Sequence, residues 1–236
     1  MNGDKIMFEI NGYTKQLGII GYPVEHTFSP NMHNFISETV HNNYVYGAWC
    51  VKPEDLKDAI NGMRALGISG INVTAPHKVE VMKYIDVVTD GAKKLGSVNT
   101  VVNRDGKLYG YNTDADGFCM ALTKAGIEIE NSRILIIGAG GVVRPTLIRL
   151  IDNKPKSITV VNRTKSKAKT LAEDILKSTG FEVNTEIDKL EFDIVINTTS
   201  AGMEPQENVM PIENIEEIND LSFINENTAA VDMIYN

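Results

Sequence analysis

Lys78 closes the stretch "NVTAPHK" (Asn72 to Lys78), in which a short strand runs into a Thr-Ala-Pro turn and then offers an ammonium group. A lysine in that place either sits in water or meets an oxygen on which negative charge develops, as stabiliser and proton donor. Other polar groups stand at or just after expected strand ends. "EHTFSPNMHN" carries the hydroxyls of Thr27 and Ser29 in a turn before a helix, where they could equally serve as ordinary helix caps. "GSVNTVV" puts Asn99 and Thr100 at a strand start, and "GYNTDADGF" puts Asp114 at the head of a helix, both also capping positions. Together the groups suit a small polyhydroxylated anion. Hydroxyls would hold a carboxylate, Asn99 and Asp114 would hold ring hydroxyls, and Lys78 would face the reacting oxygen. In open α/β sheets ligands sit beyond the carboxyl ends of the strands, so Thr74, Lys78 and Asp114 are expected to converge there, facing a second domain across a cleft.

The second site signal is "GAGG" (Gly138 to Gly141), set between the apolar strand "RILII" and a helix. Gly138 allows a tight turn, and Gly140 lets the backbone approach a pyrophosphate at the positive end of the helix. The third position of G-x-G-x-x-G is Val143, so the dinucleotide fingerprint is incomplete. An NAD site would place an acid at the end of the next strand. Here "NRTKSKAK" places Arg163, Lys165, Lys167 and Lys169 there instead. Cations at a helix N-terminus oppose the macrodipole by a few tenths of a kcal/mol each. A 2′-phosphate would offset that and pair with the arginine fork, so NADP is the expected cofactor.

These residues need elements to carry them. The chain has 236 residues, of which 42% are hydrophobic and 23% charged, and a net charge of −8. That is a globular composition, and the acidity argues against a nucleic-acid partner. No apolar run reaches the roughly 18 residues of a membrane helix, and the first residues lack the apolar stretch of a signal peptide. Cys50 and Cys119 match no metal or redox spacing and are expected to be buried; a cytoplasmic protein without a metal is the expectation. Strands at "LGIIG", "YVYGAWCV" and "SGINVT" alternate with helices at "NMHNFISETV", at Leu56, Ala59, Ile60 and Met63, and at "VEVMKYI". This βαβαβ rhythm predicts a mainly parallel sheet covered by helices. "TVVNRDGKLYGY" predicts a hairpin turning at Asp105-Gly106. A second alternating unit follows: "RILII", a helix with Leu147, Ile148 and Ile151 on one side, "SITVVN", a helix with Ala168, Leu171, Ala172, Ile175 and Leu176 inward, then "FDIVIN" and "AAVDMIY". The reading is two α/β domains, at 1–113 and 114–236, with a linking helix at 114–124 and a Rossmann-like second domain.

Read in order, the motifs resemble those of the shikimate dehydrogenase family. "GYPVEHTFSPNMHN" is similar to its G-x-P-x-x-H-S-x-S-P-x-x-H-N, with Thr27 in place of the first serine. "NVTAPHK", "GSVNTVV", "GYNTDADGF", "GAGGVVR", "NRTKSKA" and "NTTSAGM" match its later signatures, so the resemblance covers residues 21 to 203. It implies reversible NADP-dependent reduction of 3-dehydroshikimate to shikimate, a step toward chorismate and the aromatic amino acids. It implies Lys78 and Asp114 as the catalytic pair and Thr27, Ser29, Thr74, Lys78, Asn99, Asp114 and Tyr235 around the substrate. For the cofactor it implies Gly138, Ala139, Gly140, Gly141, Asn162, Arg163, Thr164, Lys167, Thr198 and Met203. Lys167 stands where the family has a later arginine, a less directional phosphate partner. The chain ends in "VDMIYN", within a family segment D-x-x-Y-x-P. Members continue with a helical hairpin that supplies a glutamine to the substrate, and its absence here is an expectation that bears on activity. The resemblance also admits quinate or NAD as alternatives, or a shortened binder of shikimate or NADP without turnover. A monomer or homodimer is expected.

Overall fold

The structure is a computed structural model that describes residues 10–203 and 208–233, other than 214, 216, 217, 219 and 222. The chain divides into two units, Met1–Thr113 and Asp114–Asn236. In the first, the elements run β1 (Lys15–Gly21), α1 (Ser29–Thr39), β2 (Tyr44–Cys50), α2 (Leu56–Ala65), β3 (Gly70–Val73), β4 (Val87–Val88), α3 (Asp90–Leu95), β5 (Thr100–Arg104) and β6 (Lys107–Tyr111). On α2 the spacing of Leu56, Ile60 and Met63 puts all three on the inner face. They pack on Ile20, Ile71, Val73, Val101 and Leu108 from the sheet. Each such side chain contributes roughly 1.5–3 kcal/mol when buried.

The sheet order is β2-β1-β3-β5-β6-β4. β1 is parallel to both β2 and β3, whereas β5 is antiparallel to β3 and to β6. β4 is parallel to β6, so the first sheet is mainly parallel, in three of its five pairings, but mixed. The cause is the hairpin: Asp105 (φ 52) and Gly106 (φ 85) both take left-handed backbone, as a two-residue turn between antiparallel strands requires. The antiparallel β5 has a consequence for function. Its amino end lies beside the carboxyl end of β3, where Val73 N–H donates to the Asn99 carbonyl (2.8 Å), and beside the end of β6, where Asn99 N–H donates to the Tyr111 carbonyl (3.0 Å).

"VEVMKYI" forms only a 3-10 turn at Glu80–Lys83 rather than a helix. Arg64 Nη2 donates to the Tyr84 carbonyl (3.1 Å), and Asp86 N–H donates to the Leu108 carbonyl (3.1 Å). These contacts draw the chain out to the sheet as β4. Cys50 is exposed, not buried, because it ends the edge strand β2, whose last three residues face solvent.

The second unit runs α4 (Asp114–Lys124), β7 (Arg133–Ile137), α5 (Val143–Asp152), β8 (Ser157–Val161), α6 (Lys165–Thr179), β9 (Ile194–Asn197) and β10 (Ala229–Asp232). Its sheet is parallel, in the order β10-β9-β7-β8. β7 and β9 are apolar along nearly their whole length, as strands covered on both faces must be. Leu147, Ile148 and Leu150 of α5 are buried. On α6, Ala168 and Ile175 face inward while Leu176 is 49% exposed. Ile175 already occupies the inward line from Ala168, seven residues on, and the next residue turns about 100° away. Because β7 is flanked by β8 on one side and β9 on the other, the chain reverses its winding there, the place where α/β sheets of this kind open a crevice.

Candidate functional site

The loops after β1 and β3 are knitted together at one edge of the first sheet. Thr74 N–H donates to the Ile20 carbonyl (2.9 Å), and Tyr22 N–H donates to the Ala75 carbonyl (3.0 Å). Gly21 is required by this closeness, since a Cβ there would stand 2.4 Å from Thr74 Cγ2. The turn that delivers Lys78 contains a cis Ala75–Pro76 bond. It is anchored by His77, which is 1% exposed and whose Nε2 lies 2.7 Å from the Val51 carbonyl. Lys78 follows, half-buried, with its carbonyl accepting from Val98 N–H (2.7 Å). Thr27 Oγ1 donates to Ser29 Oγ (3.1 Å) and accepts from Ser29 N–H (3.3 Å). These hydroxyls thus form a pair at the start of α1, whose N-cap residue, Phe28, makes no side-chain cap. Asn99 is buried. Its Oδ1 accepts from Thr113 N–H (2.9 Å) and Thr100 Oγ1 (3.0 Å), and its Nδ2 donates to Thr113 Oγ1 (3.0 Å).

Strand pairing therefore puts Thr74, Lys78 and Asn99 on one rim, at the carboxyl end of β3 and the amino end of β5, while Thr27 and Ser29 lie in the connection from the carboxyl end of β1 to α1. Asp114, the residue after Thr113, opens α4 and is exposed; it begins the second unit. Tyr235 lies outside the described residues. Sequence reasoning assigned no role to His77, although it sits inside "NVTAPHK". Its signal is a buried imidazole next to the lysine, and burial is not written in the motif.

In the second unit a pocket of about 330 Å³ opens past the ends of β7, β8 and β9. Gly138, Ala139, Gly140, Asn162, Arg163, Lys167 and Thr198 line it, whereas Gly141, Thr164 and Met203 do not. Gly138 has φ +117, and a Cβ on it would meet Thr198 Oγ1 at 2.4 Å. At Gly140 and Gly141 a Cβ would find nothing within 4 Å, so the loop leaves room over the N-terminus of α5 for a bulky anion. Asn162, besides lining the pocket, holds its loops together. Its Oδ1 accepts from Ala139 N–H (3.1 Å) and its Nδ2 donates to the Thr164 carbonyl (3.0 Å), tying the glycine loop to the basic turn.

The four cations of that turn also separate. Arg163 and Lys167 face the pocket, Lys169 points to Glu186 (3.8 Å), and Lys165 is not among the lining residues. Room over a helix N-terminus with an arginine and a lysine beside it fits a phosphorylated dinucleotide. Thr199 and Ser200 line the pocket as well. They lie in "NTTSAGM", where the sequence reading singled out only Thr198 and Met203.

Comparison with known proteins bears on both units. Residues 19–101 match the model of a shikimate dehydrogenase substrate binding domain, and residues 120–233 match that of a shikimate / quinate 5-dehydrogenase. A shikimate dehydrogenase (NADP(+)) from Geobacillus sp. (strain WCH70) is 44% identical over 227 residues, 94% of this chain and 79% of that protein. The chain belongs to the shikimate dehydrogenase family. Solved members of the family share the fold. A shikimate dehydrogenase crystallised with NADP+ superposes with a TM-score of 0.85 at 40% identity, over 96% of this chain and 79% of that one. The Listeria monocytogenes shikimate 5-dehydrogenase, in complex with shikimate and NAD, gives 0.86 at 32% identity, over 98% and 82%.

Proposed function

We propose that the chain interconverts shikimate and 3-dehydroshikimate with NADP, a step of aromatic amino acid biosynthesis. On this reading the first unit takes the substrate and the second the cofactor. The supporting observation is that Thr74, Lys78 and Asn99 share one rim of the first sheet, with the paired hydroxyls of Thr27 and Ser29 in the connection after β1, in a family whose members carry this name. The hydroxyls of Thr27 and Ser29 donate to the substrate carboxylate, and Thr74 and Asn99 hold ring hydroxyls. NADP, when bound, supplies or accepts the hydride at the carbon that alternates between ketone and alcohol. In the reducing direction Lys78 stabilises the oxygen as it gains negative charge and delivers its proton. Asp114 orients the lysine and a substrate hydroxyl. Arg163 and Lys167 hold the 2′-phosphate, over a loop whose glycines admit the pyrophosphate. The reading includes a cytoplasmic enzyme of small molecules, monomeric or homodimeric, without a nucleic-acid partner. The net charge of −8 supports the last of these.

The test is NADPH formation by the purified protein supplied with shikimate, run beside NAD and quinate. Turnover with shikimate and NADP is expected. Lys78→Ala should lower kcat by about 10²–10⁴-fold while KM changes little. A kcat within a few-fold of the parent would remove the lysine from the chemistry. Faster turnover of quinate would reassign the substrate.

A further inference from the structure

Beneath the substrate rim runs a chain of hydrogen bonds in one direction. Tyr46 O–H donates to Asn72 Oδ1 (2.7 Å), Asn72 Nδ2 donates to Thr100 Oγ1 (3.2 Å), and Thr100 O–H donates to Asn99 Oδ1 (3.0 Å). Asn99 Nδ2 then donates to Thr113 Oγ1 (3.0 Å). Backbone groups fix the polarity at two points, because they cannot reverse their roles. Thr113 N–H can only donate, so the atom of Asn99 that faces it (2.9 Å) is the carbonyl oxygen. The Asn99 backbone carbonyl can only accept, so the atom of Asn72 that approaches it (3.4 Å) is the nitrogen.

The head of the chain is held just as firmly. Tyr46 lies on the edge strand β2, and Asn34 of α1 grips its backbone as a neighbouring strand would. Tyr46 N–H donates to Asn34 Oδ1 (2.8 Å), and Asn34 Nδ2 donates to the Tyr46 carbonyl (2.9 Å). The adjacent His33 ring stacks on the Tyr46 ring, with centroids 4.2 Å apart and planes inclined by 9°. Tyr46 is 4% exposed, and burial pushes its phenol pKa well up, so it stays protonated and donates. Residues from "SPNMHN", "NVTAPHK" and "GSVNTVV" thus meet through a tyrosine that belongs to none of them.

We propose that Asn72, held by Tyr46, is a positioning residue for the substrate. It fixes the orientation of the Asn99 amide, whose carbonyl is engaged by Thr113 N–H and Thr100 Oγ1. Asn72 acts through Thr100 and Asn99. The inference deepens the shikimate reading and rests on it for the ligand, while the hydrogen-bond chain stands without one.

The experiment compares the parent, Asn72→Ala, Tyr46→Phe, Asn99→Ala and the Asn72→Ala/Asn99→Ala double variant. With shikimate varied, Asn72→Ala should raise KM about tenfold and Tyr46→Phe about threefold, the scale of one hydrogen bond lost or loosened. KM for NADP should not move, and kcat should stay within about threefold. In the Asn99→Ala background, removing Asn72 should add less than about twofold, because the residue through which it acts is gone. An equal penalty in both backgrounds, or a parallel rise in KM for NADP, would show a merely structural role and overturn the proposal. A second readout needs no substrate. In ¹⁵N-resolved NMR of the ligand-free protein, Asn72→Ala and Tyr46→Phe should both shift the Asn99 side-chain amide protons. Unmoved signals would overturn the proposal by themselves. Absence of shikimate turnover by the parent would instead count against the functional reading, and the amide signals would then decide this one.

Discussion

At the scale of single residues, the substrate rim depends on close approaches as much as on the groups that do chemistry. Gly21 and Thr74 lie side by side because their loops exchange backbone hydrogen bonds, and the approach leaves no room for a Cβ on Gly21. Gly21→Ala would place that carbon 2.4 Å from Thr74 Cγ2 and 3.2 Å from the Ala75 carbonyl oxygen. The backbone oxygen cannot give way cheaply, so Thr74 must move. KM for shikimate should rise by about tenfold or more, the effect of misplacing one hydroxyl contact, with KM for NADP unchanged. Gly62 supplies the contrast. It sits within α2, where a Cβ would meet nothing within 4 Å. Gly62→Ala should stabilise the protein by about 0.5–1 kcal/mol and leave both KM values alone. Steady-state kinetics and thermal melts of the two variants check this; an unchanged shikimate KM in Gly21→Ala would mean that Thr74 does not hold the substrate.

At the scale of elements, the second sheet is pinned at the edge away from its pocket. Arg133, which opens β7, donates its backbone N–H to Asp193 Oδ2 (2.7 Å), and its guanidinium also meets both Asp193 oxygens (3.0 and 3.1 Å). The Asp193 carbonyl accepts from Ala229 N–H (2.9 Å) at the start of β10, so one residue before β9 ties three strands. Hydrogen bonding to Arg133 holds the Asp193 carboxyl below the usual carboxylate range. A depressed folded-state pKa stabilises the fold above the unfolded value of about 3.9 and is lost as pH falls through the folded value. Asp193→Asn should therefore lower Tm by about 2–4 °C at pH 7, a half-exposed pair being worth at most about 1 kcal/mol. The gap to the parent should narrow as pH drops below about 4; a gap independent of pH would mean that charge plays no part. Elements such as β7 and α2 were legible in the sequence because their apolar spacing declares which face is buried. The 3-10 turn at Glu80–Lys83 was not, since what ends it is Arg64, far away in sequence. The substrate rim was legible as a set of polar groups after strands. Its support was not: Tyr46 meets Asn72 and Asn34 across separations of 26 and 12 residues, and no local pattern announces such contacts.

At the scale of the whole molecule, an acidic chain is read as binding two anionic ligands, which requires cations placed locally against a net charge of −8. Each unit supplies its own: Lys78 on the rim of the first sheet, Arg163 and Lys167 at the pocket of the second. Each unit also has its own sheet and its own apolar core. A ligand stabilises the states that bind it, by about 2.7 kcal/mol at a hundred times Kd, and local openings respond when the opened segment carries the contacts. Hydrogen exchange followed by mass spectrometry should therefore divide along the chain. Shikimate should slow exchange in peptides spanning 27–29, 74–78 and 99–100, and NADP in those spanning 138–143, 162–167 and 198–201. In Lys78→Ala the NADP pattern should persist while shikimate protection weakens. NADP protection confined to the first unit would contradict the assignment of the glycine loop. Shikimate protection confined to the second would contradict the assignment of the rim, and with it the reason for placing the reacting oxygen at Lys78.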